Sequence, residues 1–202
     1  MAVSKKFSAE KIVEAHAAGL REFGENYVQE FADKRGRLAG LDDSRFHLIG
    51  HLQSNKAKLA SELFDVVQTA DSPKLLQRLN SAAGESGVQL EVLLEVKLSS
   101  EAAKEGAAPE ALAELVQAAS HCEHLRLTGL MTIPPWSEDP ERSRSYFQQL
   151  SKLGRQFGLP KLSMGMSADF EVAIEEGATM IRVGTALFGA RPKPVIDISH
   201  SK

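Results

Sequence analysis

The stretch LEVLLEVKL at residues 90–98 is the clearest β-strand in the sequence, because Leu and Val fill most of its positions. Pro109 then opens a helical pattern that carries Leu112 and Leu115 on one face. A further strand pattern follows at residues 125–131. Strands that alternate with helical segments indicate βαβ units and therefore a parallel sheet.

The same alternation extends toward both ends of the chain. Strands are predicted at residues 2–4, 21–24, 46–50, 64–69, 90–98, 125–131, 161–164 and 180–183, and a helical segment follows each of them. Eight such units are the count of a (β/α)8 barrel, whereas doubly wound sheets more often have about five or six strands. We therefore predict an α/β fold, a single-domain TIM-type barrel over residues 1–191, with a flexible tail at residues 192–202.

Composition narrows the classes of function. The 202 residues carry 24 Lys and Arg against 27 Asp and Glu, a formal net charge of -3. An acidic chain of this kind is not drawn to nucleic acid or to an anionic membrane surface. No run approaches the roughly 18 apolar residues of a membrane helix. The single cysteine, Cys122, favours a reducing compartment, so we expect a cytoplasmic protein.

Polar side chains and glycines follow the predicted strands, where barrels of this type place their active sites. Ser167 follows the seventh strand, and Gly184 and Thr185 follow the eighth. Each turn alone is typical of an ordinary helix cap. Together, at two neighbouring strand ends, their hydroxyls and backbone N–H groups favour a phosphate ligand.

Lys5 follows the first strand and Arg182 lies on the eighth. A lysine whose amine is neutral forms a Schiff base with an aldehyde. A Schiff-base lysine, a phosphate site and a partner for a ring nitrogen together suit pyridoxal 5′-phosphate (PLP). Because arginine only donates hydrogen bonds, it would keep the pyridine nitrogen unprotonated and make the ring a weaker electron sink.

Six segments make these residues recognisable. They are AVSK at 2–5, FGENYVQE at 23–30, HLIGHLQSNK at 47–56, GLM at 129–131, LSMGMS at 162–167 followed by Asp169, and IRVGTALFG at 181–189. In this order they closely resemble the pyridoxal phosphate homeostasis protein family, single-domain relatives of the alanine racemase N-terminal barrel. The resemblance implies a cytoplasmic PLP-binding barrel with a role in vitamin B6 balance and without a firm enzymatic activity.

The resemblance also implies roles for individual residues. Lys5 matches the lysine that holds the cofactor as a covalent aldimine, and Arg182 matches the arginine that faces the pyridine nitrogen. The other implied cofactor-binding residues are Ser167, Gly184 and Thr185 at the phosphate, and Asn26, His51, Met164 and Gly165 beside the cofactor. Lys104 resembles a loop lysine that would serve as a secondary PLP site. The implied partners are PLP and apo-forms of PLP-dependent enzymes, and we expect a monomer.

The sequence departs from the family pattern at its start. Family members usually carry about one helix and half a strand before the AVSK segment, which here begins at Ala2. The barrel is therefore expected to be N-terminally shortened, either naturally or through a misassigned start codon. Lys6-Phe7-Ser8 also replaces the more usual Thr-Lys-Pro-like run after the lysine.

An enzyme is the alternative function. A weak racemase-like or transaminase-like activity would use PLP, and an aldolase-type barrel would use Lys5 on a sugar phosphate with Glu25 as the acid or base. A racemase of this barrel type needs a second domain with a tyrosine base, for which 202 residues leave no room, although Tyr27 could approach the pocket. We assign no catalytic residue.

Two further clusters are given structural roles. His47 and His51 straddle a strand and its turn without a third ligand at metal spacing, so no metal site is predicted. Lys34, Arg35 and Arg37 are expected to lie in a solvated loop.

Overall fold

The computed structural model describes residues 1–99 and 105–189 and contains one eight-stranded sheet in the order β1 to β8. The strands are β1 (Ala2–Val3), β2 (Glu22–Glu25), β3 (Arg45–Leu48), β4 (Val66–Ala70), β5 (Leu90–Glu95), β6 (Leu125–Met131), β7 (Lys161–Met166) and β8 (Met180–Arg182). All neighbours pair in parallel. The predicted TIM-type barrel is confirmed, and the predicted tail lies outside the described residues.

A helical segment follows each strand and packs on the outside of the sheet. The α-helices are α1 (Ala9–Ala17), α2 (Val28–Arg35), α3 (Ala57–Leu63), α4 (Pro73–Glu85), α5 (Leu112–Ser120), α6 (Arg144–Phe157), α7 (Phe170–Glu175) and α8 (Thr185–Phe188). Short 3-10 turns precede α3, α5 and α6 at Ser54–Lys56, Pro109–Ala111 and Pro140–Ser143. None of the helices in the described ranges is long and apolar enough to cross a membrane.

Local sequence explains where the helices begin and end. The Ser72 hydroxyl accepts a hydrogen bond from the Leu75 N–H, and Pro73 takes the first helical position of α4. Helix α6 ends at Gly158, whose φ of 66° is a left-handed conformation that glycine adopts at little cost. The apolar faces of both helices are buried against the sheet.

Strand β1 closes the barrel although it has only two residues. Val3 donates its N–H to the carbonyl of Val183, at 2.8 Å, and Val183 donates to the carbonyl of Met1, at 3.1 Å. On its other side, β1 pairs with β2 through Ala2 and Phe23. The two outermost strands of the sheet are thereby joined, and all eight carboxyl ends meet at one mouth.

One sequence expectation about local structure is wrong. Lys34 and Arg35 belong to α2 rather than to a loop, and the Arg35 guanidinium lies 5.2 Å from the centre of the Phe46 ring. Residues 133–139 run as a loop after β6, and Asp139 caps the 3-10 turn that precedes α6.

The opposite end of the barrel is held by ion pairs around Glu91. Its carboxylate accepts hydrogen bonds at 2.5 to 2.9 Å, and the donors are Lys161, Arg126, Thr128 and Arg45. Burial alone would raise the pKa of Glu91, but the hydrogen bonds from its neighbours outweigh burial and lower this pKa to about 2. The charged form of Glu91 therefore stabilises the folded barrel.

Replacing this carboxylate tests its contribution. The lowered pKa implies that Glu91 contributes about 3 kcal/mol above pH 5 and that this contribution is lost as the pH falls toward 2. We expect Glu91→Gln to lower the free energy of unfolding in urea at pH 7 by roughly that amount, and by less than half as much at pH 3. The exposed Glu85→Gln is the control, expected within about 0.5 kcal/mol of wild type. Equal stability of Glu91→Gln and wild type at pH 7 would contradict the assignment.

Candidate functional site

A cavity of about 350 Å³ opens at the carboxyl ends of the strands, between β1, β7 and β8. It brings together six of the predicted site residues, namely Lys5, Asn26, Ser167, Arg182, Gly184 and Thr185. The remaining lining residues are Val3, Ile49, Ile133, Pro135, Trp136, Ser137, Met166, Ala168 and Asp169. Residues distant in sequence thus share one cavity, because they lie at or just after the carboxyl ends of β1, β2, β7 and β8 in the same closed barrel.

A smaller cavity of about 190 Å³ adjoins the first, and the two share Asn26, Ile49 and Ile133. His51 lines this second cavity rather than the one that contains Lys5. Two buried polar atoms in its wall, Asn26 Oδ1 and Ser99 Oγ, have no hydrogen-bond partner among residues 1–99 and 105–189. Buried polar atoms are normally satisfied, so this region is suited to a ligand or ordered water.

Met164 and Gly165 do not line either cavity. Met164 is fully buried in β7. Gly165 has a φ of +88°, and a Cβ atom there would stand 2.5 Å from the Cβ of Ala173. These two residues therefore shape the backbone that leads to Ser167. Lys104, the predicted secondary lysine, lies outside the described residues.

The backbone on both sides of Lys5 is fixed by hydrogen bonds. The Ser4 hydroxyl donates to the Glu25 carboxylate at 2.7 Å, and the N–H of Lys6 donates to the Glu30 carboxylate at 2.6 Å. Lys6 has a φ of 64°, an unfavourable conformation for a residue with a side chain. The hydrogen bond that the Lys6 N–H donates to Glu30 compensates for this unfavourable conformation. Lys5 is therefore held between two anchored residues.

Lys34 connects these anchors. Its ammonium group lies 3.0 Å from a Glu25 carboxylate oxygen and 2.6 Å from a Glu30 carboxylate oxygen, and it donates to the Ser4 carbonyl at 3.1 Å. Burial raises the pKa of Glu25, and Lys34 opposes that rise. The Lys34 side chain is only 11% exposed, which explains why the expected solvated loop is wrong for this residue.

Arg182 forms the buried floor of the cavity. Its guanidinium donates to the Ser163 hydroxyl and to the Thr132 carbonyl, both at 2.8 Å. Burial lowers the pKa of Arg182 to about 10, and the carboxylates of Glu95 and Asp169 oppose this change. At neutral pH the group is a cation with its remaining N–H groups available to the cavity it lines.

Glu95 is a charged residue that sequence reasoning missed. It is 6% exposed, and burial, assisted by the nearby Asp71 carboxylate, raises its pKa to about 7. Perturbed pKa values cluster at functional sites. The signal was a second acidic residue, after Glu91, at the carboxyl end of a strand whose other four residues are Leu and Val.

The loop after β6 is the other missed part of the site. Ile133, Pro135, Trp136 and Ser137 all line the main cavity. Trp136 is 75% exposed although it is the only tryptophan of the chain. Hydrophobic periodicity carries no signal for this loop, but the proline pair Pro134-Pro135 before Trp136, separated from β6 by two residues, excludes a continuing strand.

Two residues considered for the enzyme alternatives lie elsewhere. Glu25 is fully buried in its ion pair with Lys34, and Tyr27 is half exposed on the surface. Neither lines the cavity that holds Lys5. An aldolase reaction with Glu25 as acid or base therefore has no geometric support, and Tyr27 does not reach Lys5 from the cavity wall.

Comparison with known proteins relates this site to a family. The family model for the alanine racemase N-terminal domain matches residues 1–192. A pyridoxal phosphate homeostasis protein of Pseudomonas aeruginosa is 47% identical over 193 residues, which span 95% of this chain and 84% of the relative. The protein of the same name from Escherichia coli K12 is 41% identical over 198 residues, 95% of this chain and 85% of the relative.

Solved structures agree with the sequence relatives. PipY of Synechococcus elongatus PCC7942, with PLP bound, superposes with a TM-score of 0.84 at 42% identity, covering 94% of this chain and 91% of PipY. Alanine racemase of Clostridium difficile 630 shares the fold, with a TM-score of 0.74 at 16% identity over 96% of this chain and 52% of the racemase. The chain therefore belongs to the pyridoxal phosphate homeostasis protein family, which shares the barrel of the alanine racemase N-terminal domain.

Proposed function

We propose that this protein binds PLP in the 350 Å³ cavity and takes part in the intracellular balance of vitamin B6. The observation that carries the proposal is the convergence of Lys5, Arg182 and the Ser167 and Thr185 hydroxyls on one cavity. The volume lies within the usual range for small-molecule sites. The names of the relatives and the PLP-bound PipY structure support the same ligand.

In this proposal the Lys5 amine holds the cofactor as an aldimine. The neutral amine attacks the aldehyde carbon, the imine bond forms, and the aldehyde oxygen leaves as water. Ile133 and Trp136 give the cavity that contains Lys5 an apolar part of its wall. The anchored backbone of Ser4 and Lys6 reduces the motion that Lys5 must lose when the bond forms.

The phosphate is assigned to Ser167, Gly184 and Thr185. The side chains of Ser167 and Thr185 are exposed toward the mouth and remain able to donate to a ligand. The first N–H groups of α8 have no acceptor within the helix, so they add donors on the same side. Charge-assisted hydrogen bonds of this kind are the stronger ones in proteins.

Arg182 is assigned to the pyridine nitrogen. The guanidinium can only donate, so the ring nitrogen must accept and stays unprotonated. The cofactor then withdraws electrons less strongly, which suits holding it more than catalysis. Asn26 lies beside the cofactor, whereas His51 contributes through the adjoining cavity.

The same proposal assigns a carrier role to the protein. It acts in the cytoplasm as a monomer and hands PLP to apo-forms of PLP-dependent enzymes, with Lys104 as a secondary acceptor. Its site is open at the mouth, as release requires: Ser167, Thr185 and Trp136 are all exposed. No observation favours racemase or aldolase chemistry over this role.

Removing the amine of Lys5 tests the covalent link. We expect wild-type protein mixed with PLP to become yellow, and borohydride reduction to leave a pyridoxyl group on the peptide that contains Lys5. Lys5→Ala is expected to lose both signals because the attacking amine is gone. Lys97→Ala, in the adjoining cavity, is the control and should keep them. Retention of the reduced adduct in Lys5→Ala would refute the assignment of Lys5.

Removing a hydroxyl tests the phosphate site. Thr185→Ala and Ser167→Ala are each expected to weaken PLP binding about tenfold, since a hydrogen bond to a charged group contributes about 1.5 kcal/mol or more. Binding of pyridoxal, which lacks the phosphate, should change little. Ser137→Ala, in the loop after β6 that lines the same cavity, is the matched control. If both phosphate-site variants weakened PLP and pyridoxal equally, the phosphate would lie elsewhere.

The carrier role is tested by transfer. Loaded protein added to an apo-form of a PLP-dependent enzyme should restore its activity faster than PLP leaves the carrier in the presence of a small-molecule aldehyde trap. The transfer rate should also rise with the concentration of the receiving enzyme, since transfer needs an encounter between the two proteins. Reactivation at only the rate of spontaneous release would exclude direct transfer.

A further inference from the structure

A chain of hydrogen bonds leaves Arg182 and crosses the interior of the barrel. Arg182 donates to the Ser163 hydroxyl at 2.8 Å, and this hydroxyl donates to the Gln68 amide oxygen at 2.6 Å. All three residues are at least 97% buried, and they lie on β8, β7 and β4. Arg182, the proposed partner of the cofactor ring nitrogen, is therefore linked through the barrel interior to β4.

The chain continues to the amino-terminal end of the barrel. The Gln68 amide nitrogen donates to His47 Nδ1 at 2.9 Å, and His47 Nε2 lies in hydrogen-bond contact with the Glu22 carboxylate. His47 is 1% exposed on β3, whereas the Glu22 side chain is 39% exposed at the start of β2. The series thus begins at a buried cation and ends at a half-exposed anion.

The direction of every bond in this chain follows from its first member. Arginine has no acceptor, so the Ser163 oxygen must accept and its single proton must point to Gln68. Gln68 then presents its oxygen to Ser163 and its NH₂ group to His47. His47 accepts at Nδ1, so its proton stands on Nε2 and is donated to Glu22. Arg182, which can only donate, therefore sets the orientation of the Gln68 amide and the tautomer of His47.

We propose that Gln68 and His47 are positioning residues that orient the Ser163 oxygen toward Arg182 and thereby aim the guanidinium at the cofactor ring. The inference rests on the proposed PLP site. Without Gln68, the Ser163 hydroxyl loses the acceptor of its proton and is free to rotate, so one of the two acceptors of Arg182 no longer has a fixed orientation. The Thr132 carbonyl then remains as its other acceptor within the described residues.

The tautomer of His47 is a readout that requires no cofactor. Two-bond ¹H–¹⁵N correlation spectra of the unliganded protein should show His47 with its proton on Nε2, assigned by comparison with His47→Gln. Ser163→Ala should change the His47 nitrogen shifts because the orientation of Gln68 is no longer imposed. Ser151 is a buried residue whose hydroxyl donates to the Glu176 carbonyl and takes no part in this series of hydrogen bonds. Ser151→Ala should therefore leave the His47 nitrogen shifts unchanged. A proton on Nδ1 in wild type would overturn the proposal.

The effect on the cofactor is the second readout. Gln68→Met keeps the length of the side chain and is expected to weaken PLP binding about tenfold and to shift the visible absorption band. His47→Gln is expected to shift the band in the same direction with a smaller loss of affinity. Ser151→Ala should bind PLP within about twofold of wild type and leave the band in place.

The outcomes separate this inference from the proposed function. If wild-type protein does not bind PLP, the proposed function fails, whereas the His47 tautomer still reports on the chain. If wild type binds PLP but Gln68→Met and His47→Gln match Ser151→Ala in affinity and band position, the positioning role is refuted. Thermal unfolding of each variant identifies any that is not folded, and the remaining variant of the pair then decides.

Discussion

The pairing of β1 on both of its sides is the constraint on which the site depends. Two residues, Ala2 and Val3, join the first strand to the second and the last. This closure places Lys5, which follows β1, next to Gly184, which follows β8. If the barrel were open between β1 and β8, the Lys5 amine and the proposed phosphate site would not lie side by side in one cavity. The shortest strand of the sheet therefore determines the geometry of the most important cavity.

A second constraint is the cost of burying charge inside the barrel. Arg182 is 3% exposed, and a cation at such depth needs acceptors and neighbouring anions to remain charged. The Ser163 hydroxyl and the Thr132 carbonyl provide the acceptors, while Glu95 and Asp169 provide the charge. The interior is thus polar because its side chains and carbonyls hold the Arg182 guanidinium, a group that only donates hydrogen bonds. An apolar layer would pack well but leave the guanidinium unsatisfied.

The sequence predicted the fold because hydrophobic periodicity and strand count are local properties. It also predicted six of the residues that line the main cavity, since the carboxyl ends of all strands in such a barrel meet at one mouth. The loop at residues 133–139 and the burial of Lys34 were not predictable in this way. A lysine followed by two arginines has the composition of a solvated segment, and only the fold reveals that Glu25 and Glu30 stand within reach of Lys34. His51 was placed beside the cofactor by motif, yet side-chain direction sends it to the adjoining cavity.

The ion cluster around Glu91 has a consequence for where a ligand can enter and leave the barrel. Its donors come from β3, β6 and β7 and bridge the amino-terminal end of the barrel. The interior above it is filled by Gln68, His47 and Ser163, all nearly or fully buried. If PLP binds in the main cavity as proposed, the mouth flanked by Trp136 and Thr185 is its route in and out within the part of the barrel that the structure describes. Entry and release of PLP would then use one opening, and a protein that covered this opening would block both.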